Sequence, residues 1–314
     1  MKRRRLRVGR IILLIVIIIV LTTLIITGIK VYKFLQSDEY KLKKIGYDEK
    51  EIALIFKYSE KDELENIKNS KYEKELTTFL KEKYFIYDNL KSYIKLYKED
   101  KTVKTSKIVS LVNVGANKEY YSDSTKADIS KKELMLVNKY HYLDNDYAPK
   151  NIVDVSYLYG YGDNEAPEEI YDIFLEMWNK ADEDGLHLIM SSSYRDYDYQ
   201  NDLYNNYKNQ KGSEWADTVA ARAGYSEHQT GYALDIVTTN STMDNFEKSD
   251  EFKWLKDNAY KYGFILRYPK GKEDITGYNY ESWHYRYVGK DVAKYIYEND
   301  ITFDEYYAYF IENK

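Results

Sequence analysis

The chain has 314 residues, 44% hydrophobic and 16% aromatic, enough for the packed core of one sizeable domain plus additions. Its net charge is −5, and six basic residues sit in the first ten positions, leaving 41 basic against 52 acidic residues beyond them, or −11. An acidic body argues against a nucleic-acid partner, and the lack of cysteine excludes disulfides and thiolate metal ligands.

Residues 1–10 read as a cytoplasmic basic tail. Residues 11–29 carry no charge and are mostly Ile, Leu and Val, a run long enough to cross a bilayer as one helix. The basic flank keeps the N-terminus in the cytoplasm and sends the rest outside. A cleaved signal peptide is the competing reading. The apolar run is long for one, and Lys30 and the bulky VYKFL stand where a small-residue cleavage site would be needed. The expectation is a single-pass cell-membrane protein, anchored through residues 11–29, with an extracellular body.

Residues 30–105 are highly charged with thin apolar periodicity. Ile52, Leu54, Ile55 and Phe56 suggest one helix, Leu76, Phe79 and Leu80 a second, and Tyr93, Ile94 and Leu96 a third. We read this stretch as a mostly helical spacer. Residues 106–135 form a lead-in element. It opens on IVSLVNV at 108–114, β-branched and strand-like, before a Gly-Ala-Asn turn.

Residues 136–314 form the main domain. They alternate helices expected at 168–182, 196–208, 252–262, 290–298 and 303–311 with strands at 186–192, 232–237, 264–268 and 283–288. Gly263 closes the third of these helices. The fold class is α+β. His141 and His187 read as structural.

Chemistry concentrates in two short stretches that hold half of the four histidines. In SEHQTGYALDI, His228 and Asp235 are seven positions apart, and in YESWHYRYV, Glu281 and His284 are three apart. Two imidazoles and a carboxylate suit a catalytic zinc, which takes three protein ligands and leaves a position open. A further carboxylate would serve as base. On a strand, Ala233, Asp235 and Val237 share one face and Leu234 and Ile236 the other. The aspartate therefore lies on an apolar face and needs a cation or a donor. On the next strand His284 alternates with Trp283, which packs behind it. Taken singly, each residue also has a plain structural reading: an aspartate satisfied by backbone amides, a histidine packed in a loop, an exposed loop glutamate.

The pattern Ser226-x-His228-x-x-Gly231-x-Ala233-x-Asp235 followed by Glu281-x-Trp283-His284 resembles the VanY-like D-alanyl-D-alanine carboxypeptidases, the M15B peptidases of the LAS metallopeptidase group. SSSYRDYDYQNDLY at 191–204 and GFILRYPKGKEDITGY at 263–278 extend the likeness, in the same order, over roughly residues 136–313. The resemblance implies a LAS/hedgehog-like domain with a mostly antiparallel sheet. It implies one zinc per chain on His228, Asp235 and His284, with Glu281 as general base. Arg195 then faces the scissile carbonyl as an always-charged donor. Gln200, Ser226 and Tyr278 line the substrate, with Ser193 and Arg267 as further candidates. Gly231 and Ala233 read as steric requirements near the metal strand.

The expected function is that of a membrane-anchored zinc D,D-carboxypeptidase removing terminal D-alanine from peptidoglycan stem peptides. L,D-carboxypeptidase action on tetrapeptide stems shares the same motifs. An endopeptidase needs a groove open at both ends. A non-hydrolytic wall-binding module on this fold would have no need of Glu281.

Overall fold

The structure, a computed structural model, describes residues 8–312. Most of the basic tail expected at 1–10 lies outside them. The chain divides into two compact units, Met1–Val109 and Ser110–Lys314.

The first unit opens with α1, Val8–Leu35. Its stretch Ile11–Leu35 has a mean hydropathy of 3.2, and no part of that window is buried. Thr22, Thr23 and Thr27 turn their hydroxyls back onto the carbonyls four residues earlier, at 2.7–2.8 Å, which satisfies them without water. A helix that is apolar on every side suits lipid rather than water, and its length and position are those of a membrane anchor or a signal sequence. Short polar helices follow. Ser37 caps Asp38–Ile45 by accepting from the Tyr40 amide. Asp48 and Glu51 form a reciprocal capping box at the start of Glu49–Tyr58. Leu42, Ile55, Ile67, Phe79 and Tyr93 are fully buried and form the small core of this unit.

The strand expected at 108–114 is instead part of a helix, α2, Thr105–Asn113. Ile108, Val109 and Val112 are all buried. Their i, i+1, i+4 spacing makes one helical stripe, and that burial outweighs the weak β preference of branched side chains.

The second unit is built on a four-stranded sheet. In chain order the strands are β1 (Leu188–Ser192), β2 (Ala233–Thr238), β3 (Phe264–Tyr268) and β4 (Glu281–Tyr287). Their spatial order is β1-β2-β4-β3, and every pairing is antiparallel. Two helices cover one face: α3, Glu168–Glu183, and, after the polar helix α4, Tyr197–Lys211, the shorter α5, Asp250–Asn258. The expected boundaries hold to within a few residues, except that Glu281 lies inside β4 rather than ahead of it.

The pleat sorts the side chains. Leu188 and Met190 of β1, Leu234 and Ile236 of β2, Phe264 of β3 and Tyr285 of β4 enter one core with Ile170, Phe174, Met177 and Ala181 of α3 and Leu255 of α5. Each large side chain fully buried there contributes roughly 1.5–3 kcal/mol. The opposite face carries Asp235, His284 and Arg286, also buried. The two-stranded pair Ile152–Asp154 with Glu165–Pro167 leads into α3, and α6, Lys290–Asn299, and α7, Phe303–Tyr307, close the unit.

Candidate active site

The polar face is assembled by strand register. Asp235 lies directly across from His284 on the β2–β4 pair and from Ser192 on the β1–β2 pair, while Tyr268 of β3 faces Glu281. His228 arrives from outside the sheet, in a short 3₁₀ turn, Glu227–Thr230. Ser226 caps that turn by accepting from the His228 amide at 3.3 Å. Gly231 ends it in the left-handed region at φ +75°, where a Cβ would fall 2.5 Å from Pro167 Cγ. Only glycine fits both the torsion and the space.

Three groups converge. Asp235 Oδ1 is 3.0 Å from His284 Nδ1 and 3.4 Å from His228 Nε2. The two imidazole rings stand edge to face, 4.9 Å apart. One ligand atom from each of the three residues lies within 4.8 Å of the others, and all three residues are buried. The tautomer of His228 follows from its other nitrogen. Nδ1 lies 2.6 Å from the Ser193 carbonyl oxygen, which can only accept, so Nδ1 carries the proton and Nε2 keeps its lone pair. Nε2 is buried without a hydrogen-bond partner among the described residues. An orphaned lone pair beside a buried carboxylate and a second imidazole is the donor set a metal ion satisfies.

The electrostatics point the same way. Burial opposes charge on Asp235, but the two imidazoles outweigh it and hold its carboxyl well below the usual range. Burial also opposes a charged His284, yet Asp235 and Glu227 raise that ring to about 9. The site draws positive charge into itself. His228, by contrast, is lowered to about 4 by burial and by Arg195.

Glu281 sits beside this group, its Oε2 3.7 Å from His284 Nδ1. Burial pushes its carboxyl up to about 7, with the charges of Asp235 and Glu227 adding to the effect and those of His284 and Arg195 opposing it. A carboxyl poised near neutrality has the proton affinity acid–base work requires. Arg195 places Nη2 3.5 Å from Asp235 Oδ2.

All of these residues line one open cavity of about 320 Å³, together with Gln200, Ser226 and Tyr278. Gln200 donates to the Ala221 carbonyl at 2.8 Å, while its Oε1 and the Tyr278 hydroxyl are buried without partners among the described residues. Two further candidates fall elsewhere. The Ser193 hydroxyl donates to the Glu165 carbonyl at 2.5 Å, so it faces away from the cavity and only its backbone serves the site. Arg267 is fully buried and spans Glu227 and Asp304, a structural ion pair rather than a substrate contact. His141 and His187 stay outside the site, bonded to Asn138 and Asp182. Sequence reasoning passed over Glu227 and also Tyr268, whose ring lies 4.9 Å from His284. The only signal for Glu227 was a carboxylate adjoining a candidate ligand.

The VanY family model, described as D-alanyl-D-alanine carboxypeptidase, matches residues 164–290. The YodJ protein of Bacillus subtilis (strain 168) is 41% identical over 205 residues, 60% of this chain and 74% of that one. A D-alanyl-D-alanine carboxypeptidase of Enterococcus faecium is 37% identical over 199 residues, 60% of this chain and 62% of its own length. Among solved structures, the LdcB LD-carboxypeptidase superposes with a TM-score of 0.56 at 38% identity, covering 60% of this chain and 91% of that one. From the shared fold and this extent of identity, the chain belongs to the VanY-like D-alanyl-D-alanine carboxypeptidase family.

Proposed function

We propose that this protein is a zinc-dependent D,D-carboxypeptidase that removes the terminal D-alanine of peptidoglycan stem peptides. The observation that carries the proposal is the convergence of His228, Asp235 and His284 beside a neutral-range Glu281 in one open cavity. His228 Nε2, Asp235 Oδ1 and His284 Nδ1 would hold the zinc, which when bound supplies a Lewis acid and lowers the pKa of water.

The chain's own groups do the rest. Glu281 takes a proton from the attacking water and passes it to the amine of the departing D-alanine. Arg195 donates to the peptide carbonyl oxygen as negative charge builds there. Gln200, Ser226 and Tyr278 offer uncharged polar atoms to the peptide end. We further propose that residues 11–29 anchor the chain in the membrane, that 30–105 act as spacer and 106–135 as lead-in, and that the peptidase domain, 136–314, works outside.

A second reading is favoured by one finding: the L,D-carboxypeptidase LdcB has the same fold at 38% identity. Full-length protein in detergent, given synthetic tri-, tetra- and pentapeptide stems with products identified by mass, separates the readings. Release of D-alanine from the pentapeptide supports the first, and release from the tetrapeptide alone supports the second. A protein that binds stems and cleaves none of them is a wall-binding module. Protease added to intact, wall-stripped cells tests the orientation, and full protection of the C-terminal part overturns it.

A further inference from the structure

Glu227 is fully buried, next in sequence to His228 and beside Nε2 of His284. Its two oxygens face different partners. Oε1 receives Arg267 Nε at 2.8 Å and lies 3.0 Å from Arg286 Nη1. Oε2 faces His284 Nε2 at 3.5 Å, an ion-pair distance, and neither of those two atoms has a hydrogen-bond partner among the described residues. An ion-pair brace for the two arginines needs only the first oxygen. The second is aimed at the back of the imidazole whose front, Nδ1, meets Asp235.

We propose that Glu227 is a positioning residue. It accepts the Nε2 proton of His284 and so fixes both the ring's orientation and the tautomer that leaves a lone pair on Nδ1 for the metal. The proposal rests on the reading of His228, Asp235 and His284 as ligands. A carboxylate cannot donate, so this contact admits only one neutral tautomer. The arginines hold the carboxylate ionised and still. Arg267 is itself held by Asp304, through Nη1 at 2.5 Å and Nη2 at 3.1 Å, so two cations and two carboxylates balance. The two imidazoles are then set in opposite tautomers by different means: His228 by the Ser193 carbonyl, and His284 by a full negative charge, which also makes it the stronger donor.

The substitution Glu227→Gln tests this with little change in size. An amide there keeps its oxygen toward the arginines and turns its NH₂ to His284 Nε2. That drives the ring proton to Nδ1, where the metal would bind. Zinc affinity, measured by competition with a chromophoric chelator, should weaken about 10–100-fold. Glu227→Gln also leaves an uncompensated arginine, so the double variant Glu227→Gln/Arg286→Met serves as the charge-balanced partner. Its affinity should stay weak, and a return to the wild-type value would reduce Glu227 to charge balance and overturn the proposal.

A third measurement needs no variant. In zinc-loaded wild-type protein labelled with ¹⁵N-histidine, His284 should show a slowly exchanging, downfield proton on Nε2. Finding that proton in free exchange with water would overturn the proposal while leaving the ligand set standing. Wild-type protein that takes up no zinc would overturn both.

Discussion

The two faces of one sheet obey different rules. On β2 and β4, Leu234, Ile236 and Tyr285 point into an apolar core, and the residues between them, Asp235, His284 and Arg286, point into a field of charge. Both sets of side chains are buried. On the first, burial itself is the favourable term and needs no particular partner. On the second, burial is a penalty that each group must offset with a specific contact, because a buried charge left alone costs several kcal/mol. The apolar face should therefore answer for stability, and the charged face for chemistry.

Removing the converging group should give the largest effect. His228→Ala/His284→Ala should lose bound zinc and fall to background activity. Metal analysis that still finds one zinc per chain would put the metal elsewhere and dissolve the contrast between the faces. Glu281→Gln comes next, with zinc content and stem-peptide affinity kept and D-alanine release reduced by about 10²–10⁴-fold. A wild-type rate would take Glu281 out of the reaction.

Phe174→Ala probes the other face. The side chain is fully buried in the core, and its loss should cost about 3–5 kcal/mol in denaturant unfolding. Activity per folded molecule should be unchanged, and a fall in turnover at full folding would show that the faces are coupled. Arg195→Lys keeps the charge but not the planar set of donors. Turnover should drop by less than in Glu281→Gln, with zinc binding intact.

The smallest effect concerns a third kind of burial. Lys139 is buried among the rings of Tyr120, Tyr121 and Tyr278, 4.1 Å from the first and 4.5 Å from the last, and donates to the Asp217 carbonyl. Burial lowers its pKa from 10.5 to about 8, with Arg222 adding to the effect and Asp217 opposing it. Between those values the unfolded chain holds a proton that the folded one has released, so this group's contribution to stability rises with pH. Wild type should gain on Lys139→Met in unfolding free energy between pH 7 and 9.5. A difference that is flat with pH would mean the cation is not strained by its burial.

The sequence was most legible where chemistry and periodicity coincided. Asp235 among apolar neighbours and His284 opposite Trp283 on alternate positions were readable as one face of a strand, and the register joins them. The stretch at 108–114 misled because branched side chains suit either element, and only the burial of Ile108, Val109 and Val112 settles which. Ser193 and Arg267 could be read from the sequence as substrate contacts or as structural hydrogen-bonding groups, because residue type does not say which way a side chain turns. Glu227 was invisible for a related reason: a glutamate is ordinarily exposed, and its burial depends on two arginines, 40 and 59 positions further on, that no local pattern ties to it.

The pairing of β2 with β4 also governs timing. Asp235 and His284 touch across the sheet but are 49 positions apart along the chain, and His228 leans on a carbonyl 35 positions before it. Such contacts carry a loop-closure cost that local helices do not. No fragment that ends before β4 contains the assembled group, and a newly made chain lacks it until its last strand has docked. Whatever the three side chains hold can be held as a set only once that strand is paired.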